Sequence, residues 1–187
     1  MKLVIASSGA SGAIYLQRLL HHIQPPGHEV HLVLSNYAKQ VIREEIDELI
    51  VPPGIIQHSD QGMNVPFVSG SARFDAMVIV PCSMGTIGRI AAGTSESTIL
   101  RAADVFLKER RKLILVPRET PWSLIHARNI TTVIEAGATV MPASPSFYSR
   151  PRSLEEIADT VVFRILDHLD MPHPAAFRWQ SNDEKPA

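Results

Sequence analysis

Cysteine is almost missing from this chain: Cys82 is the one thiol in 187 residues. A disulfide framework and a cysteine-based metal knuckle are therefore excluded. No apolar run approaches the ~20 residues of a membrane-crossing helix, and Met1-Lys2 leads straight into a strand-like segment with no hydrophobic leader, so a cytoplasmic location is expected. Charge of one sign is lacking too, since 18 Lys+Arg stand against 19 Asp+Glu for a formal net charge of −1. Before Arg101 the chain has 6 basic and 8 acidic residues and from Arg101 on it has 12 and 11, giving −2 and +1. Neither part is a basic arm, which disfavours nucleic acid as a partner. Repeats and low-complexity segments are absent as well. What is there is an ordinary globular composition, 45% hydrophobic and 20% charged. A chain of this length buries roughly 70% of its unfolded surface, so one domain needs neither disulfide nor metal to fold.

Short β-branched runs alternate with helical patterns, which predicts βαβ units on a parallel sheet. Lys2–Ser7 reads as a strand and Ala13–Ile23 as a helix, stopped by Pro25-Pro26-Gly27. Glu29–Leu34 is the second strand, followed by a helix over roughly Tyr37–Leu49. Val51–Arg73 reads as irregular, long enough for a loop to suggest function or partner contact. Ala76–Pro81 suits a central strand buried on both faces. A helix over Thr98–Glu109 and a strand over Lys112–Val116 come next, and Thr120-Pro121 reads as N-cap and first turn of a helix running to about Ala136. Gly137 ends it before a short strand, Thr139–Met141. Ser153 and Glu156 form a capping box for the last helix, where Leu154, Ile157, Val161, Ile165 and Leu169 keep helical spacing, and a polar tail follows Pro172. The expectation is one three-layer α/β/α domain over residues 1–187, with a C-terminal helix and tail from about 153.

Ligands of such sheets sit at the carboxyl ends of the strands. The first junction is Ser7-Ser8-Gly9-Ala10-Ser11-Gly12-Ala13. A dinucleotide fingerprint aligned on Gly9 needs glycines at 11 and 14, where Ser11 and Ile14 stand, and the second strand leads to Ser35 rather than to a ribose-binding acid. No Gly-Lys-Ser/Thr is present for a Walker A loop. What survives is either a tight turn that needs small residues or a loop offering N–H groups and the Ser8 and Ser11 hydroxyls to one phosphate, as in a mononucleotide such as FMN. Pro81-Cys82-Ser83-Met84-Gly85-Thr86 supplies a second hydroxyl-bearing junction.

Arg118-Glu119 lies between strand and helix at the same edge, Lys108-Glu109-Arg110-Arg111-Lys112 reads as a solvated helix end, and Tyr148 follows the last strand. The eight histidines include His21-His22 and His28 with His31, without a second cluster at metal spacing. Asp167 and Asp170 imitate half of an aspartate-rich prenyl diphosphate motif by coincidence, and Cys82 reads as a small buried packing residue. Val51–Arg73 and Phe177-Arg178-Trp179 offer more surface than one small domain covers, which predicts a homo-oligomer.

Taken in order, Gly9-Ala10-Ser11-Gly12-Ala13, Pro81-Cys82-Ser83, Arg101-Ala102-Ala103-Asp104-Val105, Leu107-Lys108-Glu109-Arg110, Pro117-Arg118-Glu119-Thr120-Pro121, Phe147-Tyr148 and Arg178-Trp179 resemble the UbiX-type flavin prenyltransferases, long labelled aromatic acid decarboxylases. The resemblance runs from Lys2 to about Trp179 and implies a Rossmann-like (flavodoxin-like) subunit. It implies that reduced FMN is joined through N5 and then C6 to the dimethylallyl group of dimethylallyl monophosphate, giving prenylated FMN for a UbiD-type decarboxylase. Charge rather than the resemblance predicts that no metal is needed: Arg101, Lys108, Arg118 and Arg164 against Glu45 and Glu119 leave two positive charges in excess, which match a leaving phosphate dianion if the groups converge. FMN contacts are implied for Gly9, Ala10, Ser11, Ser35, Ser83, Met84, Gly85, Thr86 and Arg118. The prenyl phosphate is assigned to Lys108, Tyr148 and Arg164, with Arg101, Glu45 and Glu119 lining the same site and Trp179 near it. Glu119, or the released phosphate, is the implied base for the C6 proton. A homo-dodecamer with sites where subunits meet is also implied. Asn36, where relatives commonly carry Lys, and Thr94-Ser95-Glu96-Ser97, where an Asp or Asn is usual, depart from the pattern. The competing readings are an FMN-dependent cysteine decarboxylase-like lyase, whose Pro-x-Met-Asn motif is replaced here by Pro145-Ser146-Phe147-Tyr148, and a non-enzymatic FMN electron-transfer module.

Overall fold

The apolar runs read from the sequence assemble as one parallel sheet. The computed structural model describes residues 1–23 and 27–180, so the Pro25-Pro26 stop and the end of the polar tail fall outside the described residues. The strands are β1 (Lys2–Ser7), β2 (Glu29–Leu34), β3 (Ile56–Ser59), β4 (Ala76–Cys82), β5 (Lys112–Pro117) and β6 (Thr139–Val140). Their order is β3-β2-β1-β4-β5-β6, all pairings parallel. This is the doubly-wound order of dinucleotide-type folds, here without their glycine fingerprint. The helices are α1 (Ala13–His22), α2 (Asn36–Glu45), α3 (Met84–Ala91), α4 (Thr98–Lys108), α5 (Leu124–Glu135) and α6 (Leu154–His168). None is long and apolar enough to cross a membrane among the described residues.

Central strands read as unbroken apolar runs because both faces are covered. Leu3 and Ile5 of β1 with Val78 and Val80 of β4 pack under Leu16, Leu20, Val162 and Ile165 of α1 and α6. Val4 and Ala6 with Met77 and Ile79 pack under Ile87, Ala103, Phe106 and Val133 on the opposite face. Full burial of each Leu or Ile contributes about 1.5–3 kcal/mol. Asp159 on α6 is buried and clasps α1: Arg18 donates to it through Nε at 2.8 Å and a terminal nitrogen at 2.6 Å, and His22 Nε2 lies 3.0 Å away.

Five expectations are corrected. α2 stops at Glu45 rather than near Leu49, because the chain turns through Asp47 in the left-handed region at φ 59°. The stretch 51–73 contains β3 and a single 3₁₀ turn at Pro66–Val68. α3 was not expected at all, since Gly85 and Gly88 mask its pattern. α5 begins at Leu124 rather than at Pro121: Ser123 accepts from His126 N–H at 3.2 Å while the His126 ring accepts from Ser123 N–H at 3.3 Å. At α6, Ser153 caps as expected, but the Glu156 carboxylate accepts from Arg152 N–H, one residue earlier than a capping box requires.

Two histidines give the fold an acid-sensitive stability. The Glu29 carboxylate only accepts, so His31 Nε2 donates to it at 3.0 Å, leaving His31 Nδ1 to accept from His58 Nε2 at 2.7 Å. Burial, then the nearness of His31, holds His58 below the ordinary histidine range, and burial does the same to His22 despite Asp159. The unfolded chain takes up these protons below about pH 6.5 and the folded chain resists them. Stability is therefore expected to fall as pH drops below that value. A second loss is expected below about pH 4, where the unfolded state protonates carboxyls that the fold holds low, Asp159 and Glu45 among them. Urea midpoints at pH 7.5 and 5.5 check this: the midpoint drops at 5.5, and His58→Gln narrows the difference.

Candidate active site

Because strand order runs outward in both directions from the β1–β4 pair, the loops leaving these two strands diverge and open a crevice at the carboxyl edge. Ser83 N–H donates to Ser8 Oγ at 2.8 Å, Ser8 N–H donates to Pro81 O at 3.1 Å, and Thr86 Oγ1 lies 3.0 Å from Ser83 Oγ. These hydroxyls lock the two loops to each other.

Glu45, the last residue of α2, reaches across to the start of α1. Its carboxylate accepts from Gly12 N–H at 2.8 Å and Ala13 N–H at 2.7 Å. Burial pushes its pKa up, but hydrogen bonds from Ser11, Ala13 and Gly12 and the charge of Arg118 outweigh that and hold it low. The start of α1 is thus satisfied by the chain's own anion, which takes the Gly12 and Ala13 N–H groups, while the Ser8 hydroxyl accepts from Ser83 N–H. Other donors stay open. Ser35 and Ser83 cap α2 and α3 by accepting from Ala38 and Thr86 N–H. The first-turn N–H groups of Asn36, Tyr37, Met84 and Gly85 have no acceptor among the described residues. Such helix starts favour anions.

Backbone also comes close here. A methyl on Gly9 would run into the Tyr37 side chain, while Gly85 faces open space with Ser83 Oγ 4.0 Å from the nearest added atom. Half-buried Arg118 follows β5 and spends Nε on Ser11 O at 3.2 Å, while its terminal nitrogens have no acceptor among the described residues. Glu119 beside it is exposed, with its carboxylate accepting from Thr120 N–H at 3.0 Å. Hydroxyls, open helix starts, close-approaching backbone and a guanidinium fit a mononucleotide with one phosphate, which is what FMN presents.

The remaining expected residues lie on two other surfaces. Tyr148 meets Trp179 edge-on at 5.4 Å and stacks near Phe177 at 6.4 Å. Arg164 lines an adjacent groove of about 390 Å³ with Ser146, Ser149, Phe163 and Phe177. Arg101 and Lys108 sit seven residues apart on one exposed face of α4, roughly 10 Å apart along its axis. Arg101 pairs with Asp104 at 3.3 Å and Lys108 with Glu109 at 2.6 Å. Lys108 precedes β5 and Arg118 follows it, so the six-residue strand separates them by roughly 20 Å. One chain does not place both on one phosphate. Sequence reasoning gave Phe177 no part in this groove; its pairing with Trp179 two residues on was the available signal. Thr94 and Ser97, at the departing segment, serve helix ends: Thr94 Oγ1 donates to Arg89 O and Ser97 Oγ caps α4. Cys82 is fully buried, and burial pushes its thiol up to about 12, so it is no nucleophile.

Comparison with known proteins gives the family and the fold. The Flavoprotein family model matches residues 1–166. Flavin prenyltransferase UbiX of Thermoplasma acidophilum is 47% identical over 182 residues, covering 96% of this chain and 100% of that protein. The crystal structure of AnUbiX (PadA1) in complex with FMN and dimethylallyl pyrophosphate superposes with a TM-score of 0.90 at 40% identity, covering 96% of this chain and 97% of that one. A dodecameric FMN-dependent UbiX-like decarboxylase from Escherichia coli O157:H7 gives 0.88 at 38% identity, over 97% and 100% of the two chains.

Proposed function

The chain belongs to the Flavoprotein family, among its UbiX-type flavin prenyltransferases, and we propose that its β1–β4 crevice holds FMN while surfaces of neighbouring subunits bring the prenyl phosphate to it. It is an FMN-dependent transferase that moves a dimethylallyl group onto the flavin. The observation that carries the site assignment is the crevice itself, where the starts of α2 and α3 keep open N–H donors beside Arg118. Asn36, Tyr37, Met84 and Gly85 N–H groups with the Ser35, Ser83 and Thr86 hydroxyls hold the FMN phosphate, and Gly9, Ala10 and Ser11 let the flavin approach backbone. Glu45 maintains that loop by capping α1.

Reduced FMN supplies two nucleophilic positions, N5 and C6. The allylic C–O bond breaks and its electron pair leaves with phosphate, so the protein must stabilise a developing dianion. Arg101, Lys108 and Arg164 carry acidic partners of their own, and what they offer is therefore spare donors rather than bare charge. Lys108 has three N–H bonds and spends one on Glu109, and Arg164 spends one terminal nitrogen. Tyr148 adds a hydroxyl donor, and Trp179 with Phe177 supplies π faces to the allylic cation. Bonding to N5 would release the N5 proton, and closure onto C6 would return one proton to the remaining C=C and release the C6 proton; Glu119, exposed and beside Arg118, and the released phosphate are the groups that would take and return them.

Large apolar side chains stand exposed at Tyr37, Trp122, Leu124, Ile125 and Leu154. They support a homo-oligomer, which we place at twelve subunits by similarity to the Escherichia coli protein. The product passes to a UbiD-type decarboxylase, in the cytoplasm. A monophosphate donor carries between one and two charges near pH 7, which these donors match without a metal. The test is phosphate release from dimethylallyl monophosphate in EDTA. Release is expected only when reduced FMN is present; release without flavin, or release that needs added Mg²⁺, contradicts the account.

A further inference from the structure

We propose that Asp167 is a positioning residue that aims Arg164 at the prenyl phosphate and, through Arg178, clamps the segment bearing Trp179 against Tyr148. The inference rests on the assignment of Arg164 and Tyr148 to the prenyl phosphate made above.

Asp167 lies three residues after Arg164 on α6, one helical turn further along the same face. Its Oδ2 accepts from a terminal nitrogen of Arg164 at 2.7 Å and from one of Arg178 at 2.7 Å, and its Oδ1 accepts from the other terminal nitrogen of Arg178 at 2.7 Å. The carboxylate is itself mostly covered, at 15% side-chain exposure, whereas Arg164 is 61% exposed. A single exposed Arg–Asp pair contributes little to stability. This arrangement differs in that one covered anion fixes two guanidiniums. Hydrogen bonds and charge from Arg178, with Arg164 adding to them, hold Asp167 below the usual carboxylate range against the opposing effect of burial.

The division of donors decides what each arginine does. Arg178 spends both terminal nitrogens on the carboxylate in the fork geometry, so it acts as a tether. Arg164 spends one, and among the described residues Nε and its other terminal nitrogen have no acceptor, which leaves them to phosphate oxygens. Without the carboxylate, a long exposed side chain must be ordered at the moment of binding, and that entropy opposes the substrate. The tether matters because the next residue, Trp179, meets the Tyr148 ring and the preceding one, Phe177, stacks near it. Asp170, the other half of the aspartate spacing, is 80% exposed and pairs with Lys112 at 2.7 Å. The two carboxylates thus serve separate partners.

The experiment uses the FMN-loaded oligomer of Asp167→Asn, which keeps volume and removes charge. KM for dimethylallyl monophosphate, and its dissociation constant measured directly, are expected to rise about tenfold, the loss typical of a charge-assisted contact. FMN affinity and Tm stay unchanged, kcat moves far less than KM, and Asp167→Glu restores most of the binding. Arg164→Ala is the control for the underlying assignment: if it leaves donor binding intact, that assignment fails. If Arg164→Ala weakens donor binding while Asp167→Asn does not, or if the Asp167→Asn loss comes with loss of FMN, the positioning role is overturned and the assignment stands. Should the first variant not fold, Arg178→Gln, which removes both hydrogen bonds to Asp167 and leaves the Arg164 pair in place, tests the clamp: KM for the donor is expected to rise with FMN affinity unchanged, and an unchanged KM overturns the clamp.

Discussion

Lys108→Ala is expected to lower kcat for prenyl transfer by roughly 10²–10³-fold, the loss seen when one preorganised donor to a developing anion is removed, while FMN stays bound. The expectation follows from one contact and one position. Lys108 Nζ lies 2.6 Å from Glu109 and on the far side of β5 from the flavin crevice, so its removal leaves the Ser83, Gly85 and Arg118 donors untouched. A methyl on Gly70 would crowd both Glu109 and Lys108, which shows how closely that loop supports the pair. Flavin titration and single-turnover kinetics on one preparation separate the outcomes. Loss of FMN together with activity would mean that Lys108 supports the fold rather than the leaving phosphate.

Two impaired variants are expected to rescue each other. If Arg118 on the flavin and Lys108 on the prenyl phosphate serve one site from opposite ends of a six-residue strand, they come from different chains. Oligomers of Lys108→Ala and of Arg118→Ala, each strongly impaired alone, should regain activity when dissociated, mixed in equal amounts and reassembled. A site drawing one residue from each of two chains is intact in roughly a quarter of random cases in a closed symmetric assembly. Absence of recovery in verified mixed oligomers would mean that both residues serve one site from the same chain, and would break the shared-site assignment.

Legibility in the sequence followed the physics of each segment. β1 and β2 were placed to the residue, because strands with covered faces leave unbroken β-branched runs between turn residues. β3 was lost since an edge strand of four residues, Ile-Gln-His-Ser, buries too little to show a pattern. α3 was lost because glycines at 85 and 88 read as loop, although Ser83 supplies a strong cap. At the site, local chemistry was readable: Ser35 and Ser83 stand at helix starts, and Arg118 stands at a strand end. Contacts between distant segments were not. Nothing in the sequence tells that Glu45 travels 33 residues back to close the start of α1, and that one contact takes up the Gly12 and Ala13 N–H donors beside the first loop. Asp167 was set aside as half of a chance motif, because its partners Arg164 and Arg178 become neighbours only when the C-terminal segment folds back on α6.

The mass of the flavin tests the central claim most directly. The protein is mixed with reduced FMN and dimethylallyl monophosphate without oxygen, and the flavin is then extracted and weighed. Gain of one C₅H₈ unit, in step with the phosphate released, is the predicted result. Flavin that stays bound but keeps the mass of FMN would contradict prenyl transfer and leave a flavin-binding protein with another task.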